Sequence, residues 1–118
     1  MSNYNSFVFA GHGISERTGG YDPGAINGNV KENDLARSIQ NASKKYLDKT
    51  PLAIHYDENN YSDYDLAGNK YNRNAGIVIH INAGGGSGCE IYVPSKEKYL
   101  EADFKLVNEI SKVLGIHN

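Results

Sequence analysis

The chain has 118 residues, with 12 basic and 14 acidic side chains and a net charge of -2. That length suits one domain that buries about two-thirds of its unfolded surface, enough for a core without staples. The near-neutral balance argues against a nucleic-acid-binding surface, no apolar run approaches the roughly 20 residues that span a bilayer, and the lone Cys89 has no partner for an internal disulfide.

In chain order, Ser6-Phe7-Val8-Phe9-Ala10 is a compact apolar run closed by Gly11, which predicts a buried strand. From Gly11 to Asn29 the chain is rich in glycine and polar residues and reads as a long loop, of the kind that carries function in a small domain. Leu35, Ile39, Ala42 and Tyr46 then recur every three or four residues, an apolar stripe on a helix from about Lys31 to Leu47. After Pro51, Leu52-Ala53-Ile54-His55-Tyr56 predicts a second strand, followed by polar residues from Asp57 to Asp65 and a weak short helix over Leu66 to Asn74. Gly76-Ile77-Val78-Ile79-His80-Ile81 is apolar almost throughout, as a central strand covered on both faces should be.

A glycine loop, Ala83 to Gly88, leads to Cys89-Glu90-Ile91-Tyr92-Val93, an alternating fourth strand stopped by Pro94. The loop is no P-loop, because no Lys-Ser or Lys-Thr pair follows it and a strand comes next. Tyr99, Phe104, Val107, Ile110 and Leu114 mark a closing helix that ends at Gly115. Strands alternating with helices predict an α/β layered domain with a largely parallel central sheet flanked by helices. Nine tyrosines accompany no tryptophan, and Tyr56, Tyr61, Tyr64 and Tyr71 lie in polar surroundings that suit a carbohydrate or peptide cleft.

Three side chains stand out as metal ligands. His12 follows the first strand, His80 ends the most apolar one, and Glu32 opens the first helix. Parallel strands would bring both histidines to the carboxyl edge of the sheet, where ligands gather in open α/β sheets. Two imidazoles and one carboxylate leave tetrahedral zinc an open fourth position, the arrangement hydrolases use to activate water. His55 and His117 read as structural or exposed.

The segments Gly11-His12-Gly13, Asp22-Pro23-Gly24-Ala25, Lys31-Glu32-Asn33-Asp34-Leu35, Ile79-His80-Ile81-Asn82-Ala83 and Ser87-Gly88-Cys89-Glu90-Ile91-Tyr92 occur in the order of the zinc-dependent N-acetylmuramoyl-L-alanine amidases of type 3. The chain resembles that family from about Phe7 to Asn118. The resemblance implies a Zn2+ site held by His12, Glu32 and His80, with Asn82 and Glu90 in supporting positions. It implies peptidoglycan as the partner and hydrolysis of the amide between N-acetylmuramic acid and L-alanine. The residues Ile14 to Tyr21 exceed the family's usual loop, so Glu32 reaches the metal only if that loop bulges outward.

The family's catalytic glutamate lies late, beyond the helix that closes here near Gly115-Asn118, and nothing in the chain matches it. Residues 1–118 are therefore expected to be an amidase-type catalytic domain cut short at its C-terminus, with the general acid/base unassigned. Loss of such a group costs about 10²–10⁴-fold in rate. A sheet left bare by the truncation would invite self-association. The alternative reading is a non-catalytic peptidoglycan-binding module that keeps the cleft. Another kind of zinc hydrolase is disfavoured, since no His-Glu-x-x-His helix is present. The start, Met1 to Asn5, has no secretory pattern, which favours a phage endolysin waiting in the cytoplasm over an exported autolysin.

Overall fold

A computed structural model describes residues 6–62, 75–82 and 101–115. Two compact units divide the chain after Ala83. In the first, β1 (Ser6–Ala10), β6 (Ile54–Tyr56) and β7 (Ala75–Ile79) form a parallel sheet in the order β6-β1-β7. The registers pair Phe7 with His55 on one side and with Gly76 on the other. Among the described residues the middle strand is thus β1 rather than β7. The second strand begins at Ile54, two residues later than its apolar run. The predicted short helix over Leu66 to Asn74, the glycine loop, the strand Cys89–Val93 with Glu90, and Tyr64, Tyr71, Tyr99 and His117 lie outside the described residues.

Phe7 and Phe9 project from the same face of β1 and stack with ring centroids 4.6 Å apart. Gly76 makes room for this, because a Cβ there would lie 2.0 Å from the Phe7 ring. His55 meets Phe9 edge-on at 5.5 Å, the structural placing expected of it. Tyr56 is buried rather than lining an open cleft, and Lys44 of the helix described next lies over its ring.

Helix α1 (Glu32–Leu47) packs mainly on β1. Its face toward the sheet is not the apolar stripe: Leu35, Ile39 and Tyr46 are exposed, while Asn33, Ala36 and Gln40 are buried. Hydrogen bonding explains the rotation. Gln40 accepts from the Ala10 N–H at 3.0 Å and donates to the Asp57 carbonyl at 3.0 Å, and Asn33 donates to the Gly11 carbonyl at 2.8 Å. Each of these backbone groups lies where a strand runs out and no ladder partner remains, so a buried amide is the partner that spares it a desolvation cost of about 1–3 kcal/mol.

The long loop also contains structure. Its segments β2 (Gly13–Ile14) and β3 (Tyr21–Asp22) pair antiparallel, as do β4 (Ile26–Asn27) and β5 (Val30–Lys31). Strands of two residues each are too short to show period-two alternation. In the second unit, α2 (Glu101–Leu114) ends as expected at Gly115, which takes a left-handed φ of 69°. Among the described residues no helix is long and apolar enough to cross a membrane.

Candidate metal centre

The strand order locates the site. β1 lies between β6 and β7 with all three strands parallel, so the carboxyl ends of β1 and β7 fall side by side on one edge of the sheet, where ligands gather in open α/β sheets. His12 lies two residues beyond the end of β1, and His80 lies one residue beyond β7. The ladder extends one step further, with Gly11 N–H donating to Ile79 O at 2.7 Å. His12 itself takes a left-handed φ of 64° between two glycines. That conformation costs an L-residue about 1–2 kcal/mol and turns the ring back over the edge of the sheet.

Glu32 enters from the first turn of α1. The N-cap, Lys31, supplies no side-chain bond; instead Glu32 N–H donates to Ala25 O at 2.8 Å and Asn33 N–H to Pro23 O at 3.0 Å. The preceding loop thereby caps the helix and holds its first carboxylate beside the two histidines. Glu32 Oε2 lies 3.1 Å from His12 Nε2, and Oε1 lies 3.0 Å from His80 Nδ1. The two imidazole rings are nearly perpendicular, with centroids 4.9 Å apart. One donor atom from each of His12, Glu32 and His80 falls within 4.8 Å of the others, and the three could hold a metal ion.

Electrostatics favour a charged carboxylate at the centre. Burial would raise the Glu32 carboxyl, but N–H bonds from Ala25 and Ile81 and the nearby imidazoles outweigh it and hold it below its ordinary range. Burial pulls His12 down, yet the carboxylates of Asp22 and Glu32 prevail and raise it above 6.5. Asp22, bonded to His12 and to the Gly24 N–H, is lowered.

Glycines shape the walls. A Cβ on Gly11 would lie 2.4 Å from His80 Cε1, and one on Gly24 would lie 2.5 Å from His12 Cδ2. Gly11→Ala is therefore expected to push the His80 ring off its position and weaken metal binding at least tenfold while the fold persists. A chelator-competition titration beside a thermal melt checks this.

The three ligand candidates chosen from the sequence thus converge. Asn82, expected in a supporting position, is exposed two residues past His80, and Glu90 lies outside the described residues. Of the extra residues Ile14 to Tyr21, those from 16 to 21 are exposed, and Glu32 reaches both histidines. Sequence reasoning missed Asp22, Asn33 and Gln40. The signal for Asp22 was in hand, an Asp-Pro-Gly turn ahead of a helix start. Asn33 and Gln40 carried none, because buried amides on a helix look like surface residues.

The sequence matches the N-acetylmuramoyl-L-alanine amidase family over residues 7–117. The chain belongs to that family. Comparison with curated proteins and with solved structures returned no match. This amidase domain accordingly has peptidoglycan as its substrate class, and the three converging residues lie within the matched span.

Proposed function

We propose that this amidase is zinc-dependent, that His12, Glu32 and His80 hold the ion, and that it cleaves the amide joining N-acetylmuramic acid to L-alanine. The observation that carries the reading is the convergence of two imidazoles and one carboxylate at the carboxyl ends of β1 and β7. Two nitrogens and one oxygen make a borderline donor set that suits zinc and leaves a fourth position for water or substrate. Zinc bound there would supply a Lewis acid for the amide carbonyl and acidify the attacking water.

The chain's own residues prepare this arrangement. His12 faces the centre through Nε2 and His80 through Nδ1. Glu32 stays anionic because two backbone N–H groups hold its oxygens, and it keeps one lone pair on each for a cation. Asn82 and Glu90 are assigned supporting roles on the family resemblance alone.

The test is digestion of purified peptidoglycan by the zinc-loaded domain. Peptides with a free L-alanine amino terminus are the expected product, absent after chelation and absent for His80→Ala. Release that persists undiminished in chelator would overturn the zinc reading. Release of new reducing sugar ends instead would overturn the bond assignment.

Zinc loading should also depend on pH in one direction. A ligand imidazole must be neutral, and His12 is raised above 6.5, so protons begin to compete above that pH. Loading is expected to fall as pH drops from about 8 to about 5. Equilibrium dialysis against buffered zinc measures this, and a flat profile would remove His12 from the ligand set.

A further inference from the structure

The loop between His12 and Glu32 does more than connect two ligands. The β2/β3 ladder pairs Gly13 with Asp22, which brings the Asp22 side chain beside His12. Asp22 Oδ2 lies 2.9 Å from His12 Nδ1 while Nε2 faces Glu32, so the carboxylate is placed to accept a proton held at Nδ1 when Nε2 binds a cation. The other oxygen, Oδ1, accepts from the Gly24 N–H at 2.9 Å and locks the carboxylate in place. Gly24 takes φ +70°, and its missing side chain is what lets the turn lie against His12 and Glu32. The hairpin is anchored in turn: Ile14 N–H donates to Asn60 O and Ser62 N–H to Ile14 O, both at 2.7 Å.

Resting on the ligand assignment above, we propose that Asp22 is the positioning residue of the metal centre, fixing the tautomer and direction of His12 so that Nε2 faces the ion. An imidazole proton held at Nδ1 leaves the Nε2 lone pair free to ligate. The negative partner also strengthens that nitrogen as a donor, the usual effect of a carboxylate behind a metal-bound histidine. His12 stands on a left-handed backbone with glycine on either side, and the contact from Asp22 bears on its ring directly. The same four residues serve the second ligand. Pro23 and Ala25 carbonyls cap α1, and the Ala25 N–H holds Glu32 Oε2. Asp22-Pro23-Gly24-Ala25 is therefore one device that aims two ligands at a common point, and Asp22 is the part that acts on His12.

The test uses metal-free protein titrated with cobalt(II) against a competing chelator. Asp22→Asn keeps the size of the side chain but has one oxygen for two N–H donors, and Asp22→Ala has none. Both are expected to bind cobalt about tenfold to a hundredfold more weakly than the parent chain. A second readout separates positioning from mere support of the hairpin. In the zinc-loaded parent, the His12 ring N–H should give a slowly exchanging proton resonance, and in saturated Asp22→Ala that protection should vanish. Asp22→Asn, the less disruptive variant, decides the matter if Asp22→Ala proves unfolded by circular dichroism. Cobalt binding by Asp22→Asn as tight as the parent's, with His12→Ala abolishing it, overturns the positioning role and leaves the ligand set standing. Failure of the folded parent to bind cobalt overturns the ligand set and this inference with it.

Discussion

Glu32→Ala is expected to abolish metal binding and also to destabilise the metal-free domain, which His80→Ala should not do. The difference lies in what each side chain holds when no ion is bound. Glu32 is buried and accepts N–H bonds from Ala25 and Ile81, joining the loop before α1 to the segment after β7. Hydrogen bonds to a charged group contribute about 1.5–3 kcal/mol each, so losing both should cost about 3 kcal/mol or more. His80 is well exposed, and its replacement removes a ligand while leaving those backbone bonds to Glu32 intact. Urea unfolding of metal-free protein, run beside cobalt titration, separates the two effects. Equal metal-free stability for both variants would mean that water replaces the carboxylate at these N–H groups. Glu32 would then be a ligand only.

Gln40→Leu should be the most destabilising substitution away from the metal centre. The new side chain is of similar size and more apolar, so a count of buried carbon alone would favour it. The amide, however, satisfies the Ala10 N–H and the Asp57 carbonyl in a fully buried place. Leaving both without partners costs about 1–3 kcal/mol each, a sum that exceeds the gain from an added apolar contact. The expected result is a loss of about 3 kcal/mol and a fall in melting temperature of about 10 °C or more. A thermal melt equal to the parent's would show that α1 rotates to bring Leu35 and Ile39 onto the sheet instead. Because Ala10 leads directly into Gly11 and His12, the variant should also bind metal less tightly.

Much of this was readable in the residues. Ser6–Ala10 is a strand with the bounds its apolar run predicts, α1 ends where its stripe ends, and Gly115 closes α2 as a left-handed glycine should. The convergence of His12, Glu32 and His80 was legible too, because histidines at strand ends and a glutamate at a helix start are few, and parallel strands share one edge. Periodicity misled at α1. The spacing of Leu35, Ile39, Ala42 and Tyr46 is that of a core stripe, yet backbone groups at the strand ends needed amides, and Asn33 and Gln40 supplied them. Unpaired backbone polarity outweighed apolar burial there, and a sequence pattern registers only the second.

The sequence by itself determined which residue types could chelate a metal, that Ser6–Ala10 is a strand, and that α1 begins at a glutamate. Only the tertiary structure decided that β7 pairs with β1 on the side away from β6, which makes His12 and His80 neighbours. It also decided that Asp22 stands behind His12. Both are matters of pairing. Strand alternation is the same whichever neighbour a strand takes, and a two-residue ladder such as β2/β3 has no pattern of its own. Its register comes from the closed turn and from the backbone bonds that anchor it.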